Sequence, residues 1–273
     1  MNIKLTMSKT VDLAGHEKYF KTTAYGLTGY LPDFACVLVG ANAGLIGMCK
    51  EHLGVALALK VPVFFVITKI DIAPDHVLKQ TMDQIHKILR KPGVKKKPYI
   101  CKAPEDVVAA AKGLPGGGVA PIFLTSSVTG AGLELVRLMY NLLPQRHNWY
   151  ERITMNPEFV IDEVFSVPGV GTVVSGTVTR GIISVQPSAQ TSLVLGPSIG
   201  DGSFKATSVK SIHYKRLLVD SVRAGQTAAL ALKKVKRNAV RKGMVLVGND
   251  RSAPPMATWE FDVSAFSKRT FVD

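Results

Sequence analysis

Val61-Pro62-Val63-Phe64-Phe65-Val66-Ile67-Thr68-Lys69-Ile70-Asp71 is the stretch on which the fold turns. Val61 to Ile67 is a nearly continuous apolar run of β-branched and aromatic side chains, the pattern of a strand covered on both faces. Four residues of polar chemistry follow at once, at a strand end, where open α/β sheets bind ligands. Upstream, Phe34 to Val39 repeats the apolar run and predicts a second strand buried on both faces. Between the two, Lys50 to Leu59 sets Leu53, Ala56 and Leu57 at helical spacing, which completes a βαβ unit. Downstream, a helix is expected over His76 to Arg90, closing near Pro92-Gly93. A third strand follows at Ile122 to Thr125, then a helix from Leu133 to Leu143 ended by Pro144. Strands alternating with helices predict a parallel α/β sheet over residues 1–150.

The texture changes after Pro157. Phe159 to Val167, Thr172 to Thr179, Ser192 to Leu195, Val209 to Tyr214, Thr227 to Leu232 and Met244 to Val247 are β-rich runs separated by Gly and Pro turns. That spacing predicts an all-β small barrel over residues 157–250, with the polar Gln145 to Asn156 as linker. Val167-Pro168-Gly169-Val170-Gly171 is not a dinucleotide fingerprint, because no helix follows it. Residues 256–273 alternate like the opening strand of a further β domain.

Composition bounds the function. The 273 residues carry 34 Lys+Arg against 20 Asp+Glu, a net charge of +14, and 47% hydrophobic residues, which excludes a disordered chain and favours an anionic partner. Cys36, Cys49 and Cys101 are odd in number and hold no C-x-x-C, so neither a disulfide framework nor a zinc knuckle is expected. A reducing, cytoplasmic setting fits. The first residues have no apolar core typical of a signal peptide, and Lys60 and Pro62 break the most apolar run, so no membrane span is expected. Basicity concentrates in two stretches. Residues 87–102 hold seven basic and no acidic residues, and residues 205–242 hold eleven basic and one acidic, Asp220. A solvated face is the ordinary explanation of such runs, and for residues 87–102, taken as a loop after a helix, it stays open.

Three short motifs fall in order: Asp12-Leu13-Ala14-Gly15-His16, Thr68-Lys69-Ile70-Asp71, and Ser126-Ser127-Val128 directly after Ile122 to Thr125. Singly each is weak. His16 alone is an ordinary loop histidine, and Asp71 alone suits the N-cap of the next helix. Together, at successive strand ends, they form a constellation.

This set of D-x-x-G-H, [NT]-K-x-D and S-[SA]-x resembles the guanine-nucleotide boxes of the translational GTPases, the elongation factor Tu and elongation factor 1-alpha class. DLAGHEKYFKTTAYGLTGYLPDF, KEHLGVALALKVPVFFVITKID, VPGVGTVVSGTVTRG and VRAGQTAALALKKVKRNAVRKGMVLV look like the eukaryotic GTP-binding protein 1 and 2 group, from about Lys9 to Phe261. The resemblance implies GTP and magnesium as cofactors, GTP hydrolysis as activity, and the ribosome, tRNA or another RNA as partners. It implies that Asp71 accepts two hydrogen bonds from guanine, a bidentate contact that adenine cannot return. Thr68 belongs to the same box, and Lys69 lies along the base. The backbone of Ser126, Ser127 and Val128 meets the guanine oxygen. Asp12 holds magnesium through water, the Gly15 N–H turns to the γ-phosphate, and His16 orients the attacking water. The second domain of that class faces the ribosome and the acceptor end of tRNA. Lys233, Lys234, Lys236, Arg237, Arg241 and Lys242, expected on a barrel hairpin, then become RNA-phosphate contacts.

The same resemblance requires G-x-x-x-x-G-K-[ST], and the 273 residues contain no Gly-Lys-Ser/Thr. Met7 to Val11 reads MSKTV where an apolar strand should lead into Asp12, and Val185-Gln186-Pro187 stands where the family has a Gly-Asp turn. The expectation is an incomplete α/β P-loop GTPase-type domain, lacking the P-loop and its central strand, with two apolar strand edges unpaired and GTP held weakly. A different class of function also stands: a non-enzymatic RNA- or ribosome-binding module from a truncated isoform.

Overall fold

The computed structural model describes residues 10–45, 47–185, 192–198 and 200–249. Its internal contacts divide the chain into two units that meet between Arg146 and His147.

In the first unit a 3-10 turn (Glu17–Tyr19) leads into α1 (Phe20–Gly29). Then come β1 (Ala35–Gly40), α2 (Gly47–Ala58), β2 (Val63–Thr68), α3 (Asp75–Leu89), β3 (Lys97–Ile100), α4 (Pro104–Gly113), β4 (Val119–Leu124) and α5 (Leu133–Leu142). The strands form one parallel sheet in the order β1-β2-β4-β3. Strand periodicity explains its two layers. Val63, Phe65 and Ile67 of β2 pack with Leu27, Leu53, Ile85 and Leu89 of α1 to α3. Phe64 and Val66 pack with Val107, Ala110 and Met139 of α4 and α5. Each of the five β2 residues from Val63 to Ile67 is no more than 5% exposed. Burying that much apolar surface on both faces makes β2 the axis of the unit.

Two elements were not legible in the sequence. β3 is a four-residue edge strand reading Lys-Pro-Tyr-Ile, too short and polar to register, and Pro98 is tolerated because an edge needs no second ladder. α4 buries only Val107, Ala110 and Ala111, so its apolar stripe is mostly alanine. Asp106 caps it by accepting the Lys102 and Ala103 N–H groups. A third expectation is corrected: β1 is not covered on both faces. It pairs only with β2 among the described residues, and Leu38 is 64% exposed. Tyr140 of α5 hydrogen-bonds the neighbouring Cys36 on that face, and burial pushes the Cys36 thiol up to about 11.

The second unit opens with α6 (Trp149–Arg152), inside the stretch expected to be a plain linker. Gly181 N–H donates to the Arg152 carbonyl at 2.8 Å, which ties α6 to the β structure. The strands are β5 (Glu158–Val167), β6 (Gly171–Arg180), β7 (Ile182–Ser184), β8 (Ser192–Gly196), β9 (Lys205–Thr207), β10 (Val209–Tyr214), β11 (Leu217–Val219), β12 (Ser221–Arg223), β13 (Thr227–Leu232) and β14 (Val245–Asn249). Eight form an antiparallel sheet in the order β11-β10-β13-β6-β5-β14-β8-β9, and β7 pairs with β12. One core, including Phe159, Ile161, Val174, Ile183, Ile212, Val222, Leu230 and Leu246, draws on both sheets, so the unit wraps a single interior. Gly176 is required there: a β-carbon would stand 2.0 Å from the Val160 carbonyl oxygen of the paired strand. Gln186, Pro187 and residues 256–273 lie outside the described residues.

Candidate nucleotide and RNA sites

Parallel pairing fixes where the motifs meet. Gly40 stands beside Thr68, and Ile67 beside Leu124, so β1, β2 and β4 end together at one pole of the sheet. Thr68-Lys69-Ile70-Asp71 and Thr125-Ser126-Ser127-Val128 are the loops leaving two adjacent strands. They are joined directly: the Thr125 N–H donates to the Ile67 carbonyl at 2.7 Å, and the Ile70 N–H donates to the Thr125 carbonyl at 3.3 Å.

The first loop turns sharply because Lys69 adopts a left-handed backbone, φ 62°. Asp71 is exposed and its carboxylate makes no hydrogen bond or ion pair among the described residues. The N-cap of α3 is Pro74, so Asp71 is not a helix cap and its acceptors stay free. Thr68 faces inward on β1, where its hydroxyl donates to the Val39 carbonyl at 3.5 Å.

The second loop is built around a buried hydroxyl. Ser126 is 0% exposed, and its Oγ accepts the N–H groups of Val128 at 3.2 Å and Thr129 at 3.1 Å. Its own N–H donates to the Ala131 carbonyl at 3.0 Å, and its carbonyl accepts the Gly130 N–H at 3.0 Å. Ser127 and Val128 project at the exposed tip, and the Ser127 N–H has no partner among the described residues. Gly132 closes the loop at φ 71°, where a β-carbon would stand 2.0 Å from the Leu124 carbonyl oxygen. Thr125 and Gly132 are therefore part of this site although no motif named them. The signal was the Gly130-Ala131-Gly132 spacing just after Ser-Ser-Val.

Asp12, Gly15 and His16 belong to a separate segment, exposed throughout except for Leu13. Two contacts hold it. Leu13 packs into the core beside α1, and the Thr23 hydroxyl donates to the Ala14 carbonyl at 2.6 Å. His16 caps the 3-10 turn, its Nδ1 accepting the Lys18 N–H at 3.1 Å. With Nδ1 occupied as an acceptor, the neutral ring carries its proton on Nε2 and presents a donor. Residues 10 and 11 form no strand. α1 itself leans on α2 through a stack of Phe20 on His52, 5.5 Å between centroids and 18° between planes. Burial lowers the His52 pKa against the opposing pull of Glu51.

The groups present suit guanine: a carboxylate and a backbone N–H without partners lie in two adjacent loops at one pole, and Lys69 belongs to the first of them. For magnesium the fit is partial. Among the described residues no group of three His, Cys, Asp or Glu could hold a metal, so Asp12 would contribute a single carboxylate to an ion otherwise held by phosphate and water.

The second basic stretch differs from expectation. β13 and β14 are not neighbours, since β6 and β5 lie between them, so residues 233–244 are a crossover and not a hairpin. Lys233, Lys234, Lys236, Arg237, Arg241 and Lys242 are all exposed along it. The crossover is pinned where the Thr172 hydroxyl donates to the Val235 carbonyl at 2.7 Å, and by Val240, which is buried in the core. Lys242 is paired with Glu163, and Arg237 donates to the Val240 carbonyl at 3.3 Å. Among the described residues no helix is long and apolar enough to cross a membrane.

Comparison with known proteins agrees with this architecture. Elongation factor SelB from Methanococcus maripaludis with the GTP analogue GppNHp superposes with a TM-score of 0.63 at 22% identity, over 88% of this chain and 46% of that one. Its apo form gives 0.59 at 25% identity, over 81% and 41%. GTP-binding protein 1 of Xenopus laevis is 49% identical over 252 residues, 92% of this chain and 37% of that protein. GTP-binding protein 2 of Homo sapiens is 41% identical over 257 residues, 93% and 42%. The chain thus spans about two fifths of these relatives. The pattern of the elongation factor Tu GTP binding domain matches residues 2–145, and the chain belongs to that family of translational GTPases.

Proposed function

We propose that this chain is the nucleotide-reading and RNA-facing portion of a cytoplasmic translational GTPase, coupling GTP hydrolysis to engagement of the ribosome, tRNA or another RNA. One observation carries the reading: two loops at adjacent strand ends, joined by the bond from Ile70 to Thr125, leave the Asp71 carboxylate and the Ser127 N–H without partners. Asp71 would accept from N1–H and the exocyclic amine of guanine, the Ser127 N–H would donate to O6, and the Lys69 stem would cover the ring. Ser126 and Thr68 act by holding these loops, and Val128 shields the tip. Asp12 would hold magnesium through water, and the Gly15 N–H would meet the γ-phosphate. His16, with Nε2–H as its free donor, orients a water and does not deprotonate it. The triphosphate supplies the scissile anhydride and most of the negative charge at the metal.

The test uses a protein in which this sequence follows a G-x-x-x-x-G-K-[ST] segment. Asp71→Asn reverses hydrogen-bond polarity, so preference should move from guanine to xanthine nucleotides by at least tenfold, about 1.4 kcal/mol. Unchanged GTP preference in a competition assay refutes the reading. Residues 1–273 alone, lacking Gly-Lys-Ser/Thr, should bind a fluorescent guanine nucleotide weaker than low micromolar.

The exposed crossover supports a second reading, a non-enzymatic RNA- or ribosome-binding module. RNA affinity that ignores guanine nucleotide favours the module, and nucleotide-stimulated affinity favours the GTPase.

A further inference from the structure

The first basic stretch is neither a plain loop nor part of the nucleotide pole. Lys97 pairs with Val119, and its N–H donates to the Gly118 carbonyl at 2.8 Å, so residues 90–97 sit where β3 and β4 begin. The Asp71 and Ser127 loops lie at the other end of the same sheet. β4 is six residues long, so roughly 17 to 20 Å of strand separates the two poles. A nucleotide read by the Asp71 and Ser127 loops therefore does not account for these cations.

We propose that this strand-start pole, formed by Lys87, Arg90, Lys95, Lys97 and Lys112, is a docking surface for the phosphate backbone of RNA. All five side chains are exposed. None has an ion-pair partner among the described residues. From Gln84 to Pro104 the sequence has no acidic residue, so no acidic neighbour in the sequence neutralises Arg90, Lys95 or Lys97, whereas Asp83 stands one helical turn before Lys87. Helix dipoles explain part of the arrangement, since Arg90 follows the last turn of α3 and Lys112 lies in the last turn of α4. They do not explain Lys95 and Lys97, which lie outside any helix.

The connection is rigid. The Val94 and Lys95 N–H groups both donate to the Lys91 carbonyl at 2.9 Å, and the Lys96 N–H donates to the Leu89 carbonyl at 2.8 Å. Val94 packs into the core. The Lys96 ammonium folds back onto the Gly117 carbonyl, and burial lowers its pKa. Lys96 is thus the structural lysine that holds its two neighbours outward. Lys95 keeps a left-handed backbone, φ 46°, where glycine would sit without strain. A turn held by its own backbone bonds presents the Lys95 charge with little ordering left to do when a ligand binds.

The partner follows from what the surface lacks. Between His86 and Lys97 no large apolar side chain is exposed. A protein interface centres on aromatic or aliphatic anchors, and a bilayer surface is held most firmly where apolar groups insert beside the cations, so the vesicle arm of the experiment below decides against purely electrostatic attraction to lipid. A phosphate chain needs neither, only cations held at intervals. This surface lies in a different unit from the crossover at residues 233–244 and stands without that reading.

The experiment measures binding of the full chain to a fluorescein-labelled RNA stem-loop by anisotropy across a potassium chloride series. Arg90→Gln, Lys95→Gln and Lys97→Gln together should weaken binding about tenfold near 0.1 M salt and flatten the log–log salt slope by about two to three. Lys95→Arg with Lys97→Arg should retain wild-type binding, which separates charge from folding. The proposal fails if the triple variant keeps the wild-type slope, or if the wild-type chain does not bind the stem-loop. It fails equally if the triple variant loses binding only to phosphatidylserine vesicles or to a polyglutamate peptide. Loss confined to Lys233→Gln, Lys234→Gln and Lys236→Gln overturns this surface while leaving the crossover reading intact.

Discussion

The loop of residues 125–132 and the segment of residues 12–16 carry motifs of equal standing in the sequence, yet the fold treats them very differently. The loop is anchored from within: a buried Ser126 hydroxyl accepts two N–H groups, Thr125 is bonded to β2, and Gly132 presses on the Leu124 carbonyl. The segment is anchored from outside, by Leu13 and the Thr23 hydroxyl, and Asp12, Gly15 and His16 are exposed. The base-reading role proposed for the loop calls for preorganised groups, because discrimination of guanine from adenine depends on donors and acceptors fixed in place before the base arrives. The γ-phosphate contact proposed for residues 12–16 would require that segment to change partners. Few anchoring contacts are what such a change requires.

The largest expected effect attacks the rigid side. Gly132→Ala places a β-carbon against a carbonyl oxygen at a positive φ, and should cost about 3 kcal/mol or more in chemical denaturation. A loss below about 1 kcal/mol would mean that the loop yields, and the contrast with residues 12–16 would collapse. Ser126→Ala comes next. It strands two N–H groups and should cost about 1 to 3 kcal/mol, with faster amide exchange at Val128 and Thr129.

Thr23→Val tests the loose side. It removes the donor to the Ala14 carbonyl and should cost about 1 kcal/mol. Proteolysis near residues 12–16 should accelerate while amide exchange in β2 and β4 stays unchanged; exchange that rises throughout the sheet would show the segment to be part of the core.

The smallest effect is a pH dependence confined to the α1 side. Burial lowers the folded pKa of His52 below its ordinary 6.5, so the unfolded chain takes up the proton first. Its contribution to stability is complete above pH 6.5 and declines as pH falls through the lower folded value. Melting temperatures of wild type and His52→Gln should therefore converge, or cross, as pH falls from neutral through and below 6.5, by about a degree or two. A constant difference would show that the stack on Phe20 does not sense the proton.

Much of this was legible because hydrophobic runs and turns are local signals. The apolar run ending at Ile67 announced a central strand, and Thr68 to Asp71 announced a loop at its end. β3 and α4 were hidden because an edge strand of Lys-Pro-Tyr-Ile and an alanine-lined helix bury little. The path of residues 233–244 was hidden for another reason: a crossover and a hairpin have the same local composition, and only strand order separates them.

By itself the sequence determined the βαβ unit, the change to β texture after Pro157, and the three ordered motifs, because each rests on side-chain type and spacing. Tertiary structure decided which motifs touch. Parallel register put the loop of residues 68–71 beside the loop of residues 125–128, packing buried Ser126 while leaving Asp12 and His16 in solvent, and the pairing of β3 with β4 placed the cations of residues 87–97 at the pole opposite those loops. These are consequences of long-range pairing, which no local pattern encodes.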